Sequence, residues 1–184
     1  VQKNGDLIRF VPEELQTEEM CLLALKTSVE GMAVTYIPQS VRKKRKAPKW
    51  YELAVQYNGL ALNYVPNKYM TQEMIKAAIQ ASKEGRGSEG ESVWPITYVP
   101  KKFRTEEILL LSLQQNCKSI KGFAPKDITP GLIAHYLESE NAKGDIIRYI
   151  PGYALKERVL NSIRKEIKDH GYGEKLVFGQ QNDE

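Results

Sequence analysis

IRFVP, residues 8–12, returns as VTYIP (34–38), LNYVP (62–66), ITYVP (96–100) and IRYIP (147–151), with a weaker copy, KGFAP, at 121–125. The prolines Pro12, Pro38, Pro66, Pro100, Pro125 and Pro151 lie 26, 28, 34, 25 and 26 residues apart. A near-constant period in this range marks stacked supersecondary units, none of which can bury its apolar face alone. The one long interval holds KEGRGSEGESVW (83–94), a Gly/Ser/Glu-rich stretch expected to be a flexible insertion.

The letters before each proline decide between helix and strand. Two residues ahead of it stand Phe10, Tyr36, Tyr64, Tyr98, Phe123 and Tyr149, always aromatic. One ahead stand Val11, Ile37, Val65, Val99, Ala124 and Ile150, always apolar. Three ahead stand Arg9, Thr35, Asn63, Thr97, Gly122 and Arg148, none of them large and apolar. A half-buried strand would place the first, third and fifth of these positions on one face, and the third is polar. On an α-helix the apolar and aromatic positions gather on one side and the polar one falls opposite. The expected element is a short helix with its aromatic ring in a repeated core layer, ending where proline forbids continuation. A strand-plus-helix solenoid is the alternative.

The second half of each unit reads as a longer helix. Thr17, Thr71 and Thr105 each precede a Glu- or Gln-containing first turn, EEM, QEM and EEI, as an N-cap should. Thr129 is followed by Pro130, where a missing N–H costs nothing. The stripes Met20-Cys21-Leu23-Ala24, Met74-Ile75-Ala77-Ala78 and Ile108-Leu109-Leu111 then follow. Gly31, Gly59, Gly85, Gly144 and Gly171 sit where left-handed C-caps would close these helices. The expected architecture is all-α: about six helix-turn-helix units over 1–184, stacked as one short solenoid domain. The last unit would run into a long capping helix, ALKERVLNSIRKEIKDHG, before a tail at 172–184 that frays.

Laid out as NGLALNYVPNKYMTQEMIKAAIQ (58–80) and LIRFVPEELQTEEMCLLAL (7–25), the unit resembles a family of tandem helical repeats of unknown function in large bacterial proteins. That family's unit runs approximately G-x-A-L-x-Y-V-P-x-x-x-x-T-x-E-x-C-x-x-A. The resemblance spans nearly the whole chain, is weakest in the second and fifth units, and implies repeat architecture without catalytic residues.

Composition is that of an ordinary globular protein: 184 residues, 41% apolar, 27% charged and a net charge of +4. The longest apolar run, ILLL at 108–111, is far too short to span a bilayer, and residues 1–7 do not read as the basic-then-apolar start of a secretion signal. A cytoplasmic protein without membrane contact is expected, with Cys21 and Cys117 as buried thiols and one disulfide between them as the alternative. His135 and His170 have no companion at a metal-ligand spacing, so no metal is expected. EGRGSEG (84–90) lacks the strand and the GK[ST] ending of a phosphate loop. The carboxylate pairs Glu18-Glu19 and Glu106-Glu107 are explained as first-turn residues of helices. Nothing calls for a cofactor, and an enzyme is not expected.

The outlier is VRKKRKAPKWY (41–51). Arg42, Lys43, Lys44, Arg45, Lys46 and Lys49 crowd six cations into eight residues beside Trp50. Such a segment suits a nucleic-acid backbone or an acidic protein partner, and six phosphate contacts would give a log–log salt slope of about −5. The favoured function is nonetheless a protein-interaction module or scaffold that binds an unknown partner by extended area. Arg9, Thr35, Asn63, Thr97 and Arg148 would supply a contact row, and the 42–49 segment is the alternative binding site.

Overall fold

The computed structural model describes residues 1–43, 46–81, 85–86, 92–139, 144–151, 161–162, 165 and 168–169. These are mostly helical. Short 3-10 helices, Gly5–Phe10, Met32–Tyr36, Gly59–Tyr64, Pro95–Tyr98, Cys117–Gly122 and Gly144–Tyr149, occupy the segments ahead of the prolines. The α-helices follow, all but α2 longer than these: α1 (Glu18–Thr27), α2 (Gln39–Arg42), α3 (Ala47–Tyr57), α4 (Gln72–Gln80), α5 (Glu106–Gln115) and α6 (Pro130–Glu138). Within 83–94, Gly85 pairs antiparallel with Val93 and Arg86 with Ser92. Val93 and Trp94 are core residues, so the insertion ends before them. Lys44, Arg45, His170, Gly171 and the 172–184 tail lie outside the described residues, as does most of the expected last helix.

The short segments are helical as expected, but wound more tightly than the α-helical face argument assumed. In a 3-10 helix side chains three apart eclipse one another. The buried columns follow that spacing: Gly31-Val34-Ile37, Gly59-Leu62-Val65, Val93-Ile96-Val99 and Cys117-Ile120-Phe123. At about 120° per residue the aromatic position and the polar position flank this column on either side. The aromatic core layer therefore needs correction. Phe10 is 70% exposed, and Tyr36, Tyr64, Tyr98 and Tyr149 are only half-buried.

Phe123 is buried because it does not hold the aromatic position at all. The residue closing four of these 3-10 helices donates its N–H three residues back: Val11 to Ile8 (3.0 Å), Val65 to Leu62 (3.2 Å), Val99 to Ile96 (3.2 Å) and Phe123 to Ile120 (3.0 Å). Phe123 thus stands where other units have valine, and Pro125 is displaced by one. From this closing residue the threonine cap is always six positions on, at Thr17, Thr71, Thr105 and Thr129. Each threonine Oγ1 accepts the N–H three residues ahead, at 3.2–3.4 Å, as an N-cap should.

The glycines have a different role from the expected C-caps. Among the described residues only Gly31 has positive φ, 75°, and it opens the helix Met32–Tyr36 rather than closing α1. Gly5 and Gly59 each open a 3-10 helix behind an asparagine cap, Asn4 and Asn58, whose Oδ1 accepts an N–H two residues on. Their Cα atoms press on the carbonyls of Ala24 and Ala78, 19 residues further along the chain in both cases, leaving no room for a methyl group.

The chain packs as two compact units, Val1–Phe103 and Arg104–Glu184. In the first, Gly5–Phe10, Met32–Tyr36, Gly59–Tyr64 and Pro95–Tyr98 pack in that order as one layer, with α1, α3 and α4 in succession beside them. The turn after α1 is gripped from both sides: Asp6 accepts from the Val29 and Glu30 N–H groups (2.9 Å each) and from the Ser28 hydroxyl. Asn58 donates to the Ser28 and Val29 carbonyls at 3.0 and 2.9 Å. In the second unit Cys117–Gly122 packs on Gly144–Tyr149 and α5 on α6, with Arg104 and Asp127 joined at 2.8 Å in a nearly buried ion pair.

Candidate interaction surface

Successive packing of the first unit's 3-10 helices brings one register position of each into line. Arg9, Thr35, Asn63 and Thr97 occupy that position, and all four are exposed. Arg148 holds the same position on its helix in the second unit and is also exposed. Beside each lies the aromatic that the α-helical argument had buried. Phe10, Tyr36, Tyr64 and Tyr98 form a second, half-open column alongside the polar one. The Arg9 guanidinium lies over the Phe10 ring at 4.6 Å. Burial pushes the Tyr64 phenol above its ordinary pKa, against the opposing pull of the Asn63 amide, so it stays a hydroxyl donor throughout the neutral range. The aromatics were legible as a column; their accessibility was not.

The described part of the basic segment is distributed rather than gathered into a stripe. Trp50 is 1% exposed in the core, so its ring faces is closed to a stacking base. Lys49 pairs with Glu52 at 3.0 Å on the surface of α3. Arg42 folds back on the chain: Nε donates to the Ile37 carbonyl at 2.8 Å, and Nη2 to those of Val34 (2.7 Å) and Thr35 (3.2 Å). After Gly5–Phe10, Gln16 does the same work, its Nε2 donating to the Val11 carbonyl at 2.9 Å and the Ile8 carbonyl at 3.3 Å. The separations, five and eight residues, are identical. Lys43 and Lys46 are exposed, and Lys44 and Arg45 fall outside the described residues.

The remaining titratable groups have structural settings. His135 Nδ1 lies 3.1 Å from Glu106 Oε1, both groups more than half exposed, on the surface of α6 and α5. Cys21 and Cys117 are buried free thiols, and burial, with the Glu18 charge behind it, pushes the Cys21 thiol to about 11. Among the described residues no cluster of His, Cys, Asp and Glu could hold a metal ion, and no helix is long and apolar enough to cross a membrane. Comparison with protein-family models, with curated proteins and with solved structures finds no match in any of the three.

Proposed function

We propose that the protein is a helical-repeat module of solenoid type that binds a protein partner through the paired columns of its 3-10 helices. The observation that carries this is the accessibility of Phe10, Tyr36, Tyr64 and Tyr98 beside Arg9, Thr35, Asn63 and Thr97. Tyrosine, arginine and other aromatics dominate the energetics of protein interfaces, because they supply rigid apolar area together with a polar handle. Placing them at a fixed register on packed helices presents them without the entropic cost of ordering loops. Support for the nucleic-acid alternative is thinner, since Trp50 is buried and Lys49 already faces Glu52.

The test is photo-crosslinking from position 36 or 64 in the source proteome, then titration of the captured protein against the purified chain. Tyr64→Ala and Asn63→Ala should each weaken that complex by about tenfold, the loss expected of a central interface side chain. Lys49→Ala should not. Unchanged affinity in both row variants would end the proposal.

A further inference from the structure

Gln16 and Arg42 hold equivalent backbone carbonyls at equivalent separations, one with a neutral amide and one with a guanidinium. A neutral amide therefore suffices for the structural task. Arginine brings two things that task does not use: a permanent charge, and the two N–H donors of Nη1. Among the described residues those two donors have no acceptor. Because Nε and Nη2 are pinned by three carbonyls, the guanidinium plane is fixed before any ligand arrives.

That surplus charge borders an open cleft of about 640 Å³ beside the end of the Met32–Tyr36 helix. Lys43 and Lys46 line it with Arg42, as do Gln39 and the apolar Ile37 and Ala47. Among the described residues no acidic side chain does so, and no carboxylate among them pairs with Arg42, Lys43 or Lys46. The start of α3 adds the positive end of its dipole to the same rim, since Lys46 and Ala47 open that helix. Three uncompensated cations around one concavity raise the local potential and concentrate small anions. The two remaining N–H donors of Nη1 can each bond an oxyanion oxygen, and the lysines add mobile point charges.

We infer that this cleft binds a phosphate-class oxyanion, held on the unspent Nη1 donors of Arg42 with Lys43 and Lys46 around it. The site takes one compact anionic group, free or carried on a small molecule, in contrast to a stripe that tracks a polymer backbone. It does not rest on the protein-binding row.

The experiment titrates the full chain with inorganic phosphate, pyrophosphate and a single-stranded oligonucleotide at low ionic strength, followed by amide chemical shifts. Saturable one-site shifts centred on residues 39–47 are expected with pyrophosphate, and weaker ones with phosphate. Arg42→Gln reproduces the Gln16 arrangement, so it should stay folded and weaken pyrophosphate by about tenfold, the worth of a charge-assisted contact. Lys46→Gln, on an exposed side chain with no structural bond, should weaken it too and carries the test if Arg42→Gln unfolds. Lys49→Gln, outside the cleft, should change nothing. The inference is overturned if neither small anion gives saturable shifts, if the folded cleft variants bind as the parent does, or if Lys49→Gln weakens binding as much as they do. Binding confined to the oligonucleotide, with a salt slope of about −5, would likewise overturn it in favour of a polymer stripe.

Discussion

Gly5 lies against the main-chain carbonyl of Ala24 so closely that a β-carbon on Gly5 would overlap it, and Gly59 meets Ala78 in the same way. These contacts set how near each 3-10 helix approaches the α-helix that follows. The obstructing atoms are backbone, so they cannot swing aside. Gly5→Ala and Gly59→Ala should each destabilise the chain by several kcal/mol, in the range of core overpacking or above. Gly131→Ala supplies the opposite sign: nothing stands within 4 Å of that position in α6. It should stabilise by roughly 0.5–1 kcal/mol through lower unfolded-state entropy and better helix propensity. Chemical denaturation of the three variants checks the contrast, and equal effects would discredit the close-approach account.

The period of three makes neighbouring residues behave oppositely. Ile8 is fully buried and Phe10, two residues on, is 70% exposed. Ile8→Ala should cost about 2–5 kcal/mol as a core truncation. Phe10→Ser should stay within about 0.5 kcal/mol as a surface change. An α-helical face would make both severe, so urea midpoints decide between the two geometries.

Arg104 and Asp127 meet at 2.8 Å with side chains only 11% and 6% exposed, and the same Asp127 oxygen accepts the Ala124 N–H at 3.1 Å. Removing one partner strands a charge in a poorly solvated place. Arg104→Met alone should cost about 3–5 kcal/mol, and Asp127→Asn a comparable amount. In the double variant the loss should be smaller than the sum, a coupling that a thermodynamic cycle measures. Additive losses would mean that the two groups do not depend on one another.

Cys21 ties stability to alkaline pH. Its thiol is raised from 9.0 to about 11, so the folded state retains a proton that the unfolded state releases. The resulting stabilisation is fully present below pH 9 and is lost as pH rises toward 11. Urea unfolding from pH 8 to pH 11 should show a decline that is shallower in Cys21→Ala, whatever that variant costs at neutral pH. At pH 7.5 the native thiol should resist alkylation until the protein unfolds. Rapid labelling of Cys21 in native buffer would contradict both expectations.

Much of this was legible in the letters. The threonine caps worked from sequence because capping is local: a hydroxyl reaches an N–H three residues away whatever packs outside. The outward polar row of Arg9, Asn63 and their equivalents was legible because a charged or amide side chain resists burial at any helical pitch. The asparagine caps at Asn4 and Asn58 were within reach of the same logic, since each stands immediately ahead of a glycine. Anchoring the fifth unit on Pro125 instead of the cap at Thr129 misplaced Phe123 by one position.

What the sequence by itself determined, then, is the local frame: where helices start, where proline stops them, and which side chain must face water. Tertiary structure decided the pitch of the short helices, and with it which ring was buried. A six-residue segment has too few hydrogen bonds to choose between bonding three and four residues back on its own. The approach of α1 and α4 to Gly5 and Gly59 accompanies that choice, turning the aromatic column outward. It also decided the use of Arg42, because only folding brings the guanidinium onto the Val34 and Ile37 carbonyls, at the border of the cleft.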